Sequence, residues 1–345
     1  MRELRVLQDA FDDARRGHGG VQVVVGEPGV GKTRLAAALV EHAEAHDARV
    51  ISTRGWLNGP AYWPWTEVVR GLTADLDGET LRRELRCAAD QLLRLVPELA
   101  ARLPRADAPP PDSDDDETAR FALFDALVEL LRARSASGPL VIVIDDLQVV
   151  DEGSLVALRF VARMLHDIGV LFVVTMHEHI AQRTPEAEEA LRNICAAGRR
   201  LPLGGLSRND IGRLIELASG VRAAPGLATR IHAVTEGNPF FAGEIITLLL
   251  AERRLQDPPD ELPLPDGVRA TIRRRLEPLD GPARETLELA AIIGRTFTLT
   301  TLERASTQDP DAIRGALDDA AKLGLVAPVR GTIGQYRFGH GLIRD

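Results

Sequence analysis

Residues 26–33 read Gly-Glu-Pro-Gly-Val-Gly-Lys-Thr, a fit to the pattern Gly-x4-Gly-Lys-Ser/Thr. That pattern constrains the chain more than any other feature, because it needs a strand ending before it and a helix starting inside it. Both are written in the neighbouring residues. Val21-Gln22-Val23-Val24-Val25 is a β-branched run suited to a buried strand, and Leu35, Leu39 and Ala43 recur on one helical stripe from Arg34 onward. Gly26, Gly29 and Gly31 open backbone conformations that a Cβ forbids, so successive N–H groups can converge on one anion. The new helix adds its positive end. Glu27, Pro28 and Val30 complete the loop, Lys32 is expected to reach the β- and γ-phosphates, and the Thr33 hydroxyl to ligate Mg²⁺, with Arg34 next along. The expected ligand is therefore a nucleoside polyphosphate.

A second segment belongs with the first. After Gly138-Pro139 the chain reads Leu140-Val141-Ile142-Val143-Ile144-Asp145-Asp146, a fully apolar strand ending in two carboxylates. This is the Walker B pattern. Asp145 is expected in the Mg²⁺ shell, and Asp146 is placed to orient or deprotonate the attacking water. Together with Lys32 these are the expected catalytic residues. Further strands are expected at 49–53, 170–175 and 199–203, alternating with amphipathic helices such as 121–134 and 153–166. The fold class is then α/β, a phosphate-loop NTPase with a mainly parallel five-stranded sheet covered on both faces.

Bulk properties restrict function further. The 345 residues suffice for two or three domains, and the formal net charge of −9 supplies no global attraction for nucleic acid. Cys87 and Cys195 form no Cys-x-x-Cys pattern, as suits a reducing compartment. Met1-Arg2-Glu3-Leu4-Arg5 is charged and helical-looking, with no apolar signal core, and the longest apolar stretch, Ile245 to Ala251, is too short to span a bilayer. No membrane partner and a cytoplasmic location are expected.

The remaining segments set the domain plan. Trp56, Tyr62, Trp63 and Trp65, interleaved with Pro60 and Pro64, read as a packed loop over the sheet edge in preference to a binding surface. Residues 67–96 read as two helices broken near Asp77-Gly78, and 97–117, rich in proline then aspartate, as a linker. Met176-His177-Glu178-His179 invites a zinc reading that fails, since it is not His-Glu-x-x-His. Beyond Gly204 helices dominate until Leu325–Val329 and Gln335–Phe338, two short strands expected to form a winged-helix hairpin. The expected plan is an NTPase domain (1–205), an α-helical lid subdomain (206–262) and a winged-helix-like domain (263–345).

Several segments carry a family resemblance that runs through nearly the whole chain. They are Pro60-Ala61-Tyr62-Trp63-Pro64-Trp65, Asp145-Asp146-Leu147-Gln148, Thr235-Glu236-Gly237-Asn238-Pro239-Phe240-Phe241 and Tyr336-Arg337-Phe338-Gly339-His340. The chain resembles the N-terminal part of the large ATP-binding regulators of the LuxR family, which belong to the signal-transduction ATPases with numerous domains, close to AAA+ proteins. The resemblance implies ATP or ADP with Mg²⁺ as cofactors. It also implies Pro239 packed against adenine, and His340 near the β-phosphate of ADP; the other reading of His340 is a buried polar residue ending a strand. It implies self-association in the ATP state, an unknown signal ligand or protein, and DNA contact only through a C-terminal domain absent from this chain.

Three departures from the family pattern stand out. Where relatives place a γ-phosphate-sensing arginine this chain has His177, which is shorter and mostly neutral at pH 7, so hydrolysis is expected to be slow. The chain starts at Met1-Arg2-Glu3 where relatives carry Gly-Arg-Glu, and it ends where they continue into helical repeats. The first functional reading is a nucleotide-dependent regulatory switch. The alternatives are a working AAA+-like ATPase that remodels partners as an oligomer, with Arg199 or Arg200 as a finger, and direct DNA binding by the winged helix, which Asp311, Asp318 and Asp319 disfavour.

Overall fold

The computed structural model describes residues 2–85, 89–102, 116–177, 184–329, 332 and 334–344. Cys87, Glu178, His179 and most of the proline- and aspartate-rich stretch lie outside the described residues. The chain forms two compact units, one built from Met1–Val25, Lys32–His177 and Arg183–Leu203, the other including Gly26–Gly31 and Gly204–Asp345.

The first unit is a five-stranded parallel sheet with helices around it. Its elements are α1 (Arg2–Arg15), β1 (Gly20–Gly26), α2 (Lys32–Glu44), β2 (Arg49–Arg54), α3 (Trp63–Thr73), α4 (Gly78–Leu85), α5 (Ala89–Leu95), α6 (Asp116–Ser135), β3 (Leu140–Asp145), α7 (Glu152–Ala162), β4 (Val170–His177), α8 (Pro185–Ala197) and β5 (Arg199–Pro202). The strand order is β2-β3-β4-β1-β5. Burial follows from composition. β3 is buried along its whole length and β4 along all but its last residue, as near-continuous apolar runs require in a sheet covered on both faces. β5 buries only Leu201 and β2 only Ile51 and Thr53, so these two take the edges. Leu7, Phe11, Leu39, Val141, Leu171 and Val173 form one core between α1, α2 and the sheet.

Three expectations need correction. Residues 63–95 carry three helices, not two. Pro64 sits in the first turn of α3, where its missing N–H costs nothing, so the helix begins inside the aromatic cluster. The cluster is therefore only partly loop. Trp65 is 1% exposed and its indole N–H donates to the Ser154 carbonyl at 3.1 Å, while Trp56 is exposed and meets Trp63 edge-on. The stretch beginning at Pro97 is also not all linker, because Pro97–Ala101 is a 3-10 turn and α6 starts at Asp116.

The second unit holds α9 (Arg208–Ser219), α10 (Leu227–Thr235), α11 (Pro239–Ala251), α12 (Asp266–Leu276), α13 (Gly281–Ile293), β6 (Thr296–Thr298), α14 (Leu299–Ala305), α15 (Pro310–Lys322), β7 (Val326–Pro328), β8 (Gln335–Phe338) and α16 (Gly341–Arg344). Ser207 and Asp210 close a reciprocal capping box at the start of α9. Ile211, Ile215, Leu227, Ile231, Ile245 and Leu249 pack α9 to α11 together. Leu287, Phe297, Leu302, Ile313, Leu317 and Phe338 form a second cluster around an antiparallel sheet of order β6-β8-β7. Its third strand, β6, is only Thr-Phe-Thr, too short for its alternation to show as a pattern.

Candidate nucleotide and magnesium site

Strand order in the first unit brings Thr33 and Asp145 together. β4 lies between β1, which leads into the glycine loop, and β3, which ends in Asp145. Thr33, the second residue of α2, points its hydroxyl at the Asp145 carboxylate, with Oγ1 2.9 Å from Oδ2 and 3.2 Å from Oδ1. These residues are 112 positions apart in sequence. From β4, the fully buried Thr175 hydroxyl donates to Asp145 Oδ1 and accepts the Asp146 N–H at 3.0 Å. Asp146 adopts a left-handed conformation (φ 60°). That turn sends its carboxylate to Gln148 Nε2, 2.9 Å from Oδ1. The His177 N–H donates to Gln148 Oε1 at 3.2 Å, and its ring Nε2 stands 3.9 Å from Asp146 Oδ1.

Arg54 faces both carboxylates. Arg54, last residue of β2, is the ladder partner of Asp145. Its Nη2 lies 2.9 Å from Asp145 Oδ2 and its Nε 3.5 Å from Asp146 Oδ2. Burial is the largest influence on the Asp145 carboxyl and pushes it up, but hydrogen bonds from Thr175, Arg54 and Thr33 together hold it below the ordinary carboxylate range. It is therefore an anion at neutral pH. A hydroxyl and a carboxylate side by side are hard oxygen donors, the chemistry Mg²⁺ selects. The pair opens on a cleft of about 600 Å³ that Thr33, Arg54 and Asp145 line. The residues fit the ion.

The glycine loop has its own supports in the second unit. Gly29 and Gly31 take φ of 81° and 102°, values that L side chains rarely adopt. The Asn238 Nδ2 donates to the Pro28 carbonyl at 3.0 Å, and the Phe240 N–H donates to the Gly29 carbonyl at 3.3 Å. Asn238 is 3% exposed and caps α11, its Oδ1 accepting the Phe240 N–H at 3.1 Å. Pro239 follows in the first turn of α11, half-buried. Lys32 opens α2 and is 6% exposed; Val30 is buried, and Arg34 is exposed.

His340 is committed elsewhere. Its Nδ1 accepts the Leu342 N–H at 3.0 Å, so the proton sits on Nε2, which donates to the Thr235 carbonyl at 2.8 Å. Buried against the Phe241 ring, it has neither nitrogen left for a phosphate in this arrangement. Thr175 and Arg54 carry no role in the sequence pattern, and Gln148 enters it only as the end of the segment Asp145-Asp146-Leu147-Gln148. A cation at the end of a strand was the only available signal for Arg54.

The profile of the AAA ATPase domain family matches residues 1–174. The chain belongs to the AAA ATPase domain family. Membership implies nucleotide binding, usually with Mg²⁺. This AAA ATPase domain protein is similar to an uncharacterized protein of Rhizobium meliloti (strain 1021), 24% identical over 374 residues, covering 99% of this chain and 34% of the relative. The chain thus spans about a third of that relative's length. It shares its fold with the Walker-type ATPase of Pyrococcus abyssi, at a TM-score of 0.54 and 11% identity over 99% of this chain and 93% of that one. It also resembles a signal-transduction ATPase with numerous domains and a tetratricopeptide repeat sensor from Pyrococcus horikoshii, at a TM-score of 0.41 and 15% identity over 98% of this chain and 41% of that one. No helix among the described residues is long and apolar enough to cross a membrane.

Proposed function

We propose that this AAA ATPase domain protein is the ATP- and ADP-binding switch module of a LuxR-type regulator, Mg²⁺-dependent and slow to hydrolyse ATP. The observation that carries the reading is the contact between Thr33 and Asp145, which joins the end of the glycine loop to the end of the acidic strand. In this reading the loop amides and Lys32 hold the phosphates, and Thr33 with Asp145 would hold Mg²⁺, which supplies charge neutralisation at the β- and γ-phosphates when bound. Asp146 orients the attacking water. Slow turnover is favoured because Asp146 already engages Gln148 and Arg54, and because His177 stands beside it where relatives use an arginine.

A switch also needs the two nucleotides to prefer different forms, and reversing a 1:99 population takes about 5.5 kcal/mol of differential affinity. Pro239 against the base and self-association of the ATP form belong to this proposal. Its test is the nucleotide released when the purified protein is denatured, together with calorimetry of ADP and ATP in Mg²⁺. Tight ADP, and ATP-dependent growth of the particle in light scattering, are expected. Absence of heat with either nucleotide would refute the reading, and brisk phosphate release abolished by Asp146→Asn would replace the switch with a working ATPase.

A further inference from the structure

The first unit contains a cation whose hold on Asp145 the nucleotide reading does not use. Arg54 ends an edge strand, its side chain is 64% exposed, and nothing about the sheet requires it to turn inward. It nevertheless bridges Asp145 and Asp146 through two different nitrogens. The Asp145 oxygen it meets, Oδ2, is the one that also accepts the Thr33 hydroxyl. A guanidinium and a dication drawn to the same oxygen repel one another, so each weakens the other's hold on Asp145.

We propose that Arg54 is a built-in counter-cation of the acidic pair. It neutralises Asp145 and Asp146 when no metal is bound, so polyphosphate can enter beside two carboxylates, and it yields Asp145 when the metal arrives. The inference rests on the nucleotide reading for its purpose and on the Arg54 contacts for its mechanism. Three features of the site support it. The carboxylate is buried while the arginine is exposed, so the arginine is the partner free to leave. The cleft lined by Thr33, Arg54 and Asp145 gives the guanidinium room and the metal an approach. The forked group reaches both carboxylates at once, as a lysine ammonium would not.

The consequences have opposite signs for metal and for nucleotide. Removing the charge removes a competitor for the metal, and it also removes a neutraliser for metal-free phosphate. A mostly exposed ion pair of this kind corresponds to about a twofold to fivefold change in affinity.

The test uses the full chain stripped of nucleotide, as wild type, Arg54→Gln and Arg54→Lys, with Mn²⁺ as the probe, read by the paramagnetic resonance of the free ion. Arg54→Gln should bind Mn²⁺ about twofold to fivefold tighter than wild type, with Arg54→Lys between them. Asp145→Asn should lose the site. In excess EDTA a fluorescent ADP analogue should bind Arg54→Gln about twofold to fivefold more weakly than wild type, and the deficit should vanish or reverse in Mg²⁺. Unchanged or weaker Mn²⁺ binding in Arg54→Gln would overturn the inference, as would equal ADP affinities in EDTA. Should Arg54→Gln not fold, Arg54→Lys decides alone: tighter Mn²⁺ than wild type supports the inference and an equal value overturns it. A wild type that ignores the ADP analogue altogether would refute the nucleotide reading, and the Mn²⁺ comparison would still decide the role of Arg54.

Discussion

Replacing Thr175 with valine keeps the shape of a fully buried side chain and deletes one hydroxyl. That hydroxyl makes two bonds of different kinds. It donates to the charged Asp145 carboxylate, a bond of about 1.5–3 kcal/mol, and it accepts the Asp146 N–H, which would cost about 1–3 kcal/mol if left without a partner. The two losses share one site and do not add fully, so the net destabilisation should be about 3 kcal/mol at pH 7. All three tryptophans, Trp56, Trp63 and Trp65, lie in the first unit, so urea unfolding followed by indole emission reports the unit that contains the change. With a slope of about 2 kcal/mol/M the midpoint should fall by about 1.5 M.

The acid dependence of that gap is a second readout. The folded Asp145 carboxyl is held below its ordinary value, so its contribution to stability is complete above about pH 4 and is lost as pH falls through the folded value. Thr175→Val weakens that depression. The gap between wild type and variant should therefore be widest at neutral pH and shrink toward pH 2. A midpoint shift below about 0.4 M, or a gap of constant size between pH 7 and pH 3, would refute the argument that this hydroxyl holds the ionised carboxylate.

Lys32→Ala should abolish calorimetric heat with either adenine nucleotide while leaving the melting temperature of nucleotide-free protein within a few degrees of wild type. Asn238→Ala removes a helix cap and the donor to the Pro28 carbonyl, for about 1–2 kcal/mol, and hydrogen–deuterium exchange should show faster exchange of the amides of residues 26–31; unchanged exchange there would count against loop support. Asp75, hydrogen-bonded first by Arg49 and paired also with Arg134, has its carboxyl lowered to about 2. Its stabilisation should be present above pH 4 and disappear as pH falls through about 2, and because the group is half-exposed Asp75→Asn should cost only about 1 kcal/mol at pH 7 by urea titration.

Much of the site was legible in one dimension because its parts are local. A strand buried on both faces must be a continuous apolar run, so 140–144 was readable as β3, with its carboxylates at its C-terminal end. A loop whose amides converge on an anion must carry glycines at fixed offsets, so 26–33 was readable as well. Helix starts such as Ser207 were readable because the cap and its partner lie within one turn. The departures came where neighbours in space are distant in sequence. Thr175 matters only because β4 inserts between β1 and β3, an order set by crossover connections and invisible to periodicity. Arg54 meets Asp145 because the parallel register of β2 on β3 puts them side by side. Asn238 sits in a legible motif, but its bond to Pro28 spans 210 positions. The bond from His340 Nε2 to the Thr235 carbonyl likewise spans 105 positions and depends on packing against α10, which no local pattern encodes. Local chemistry names the groups able to bind phosphate and metal; strand order and register choose which side chains complete them, because those partners are selected by packing and not by spacing along the chain.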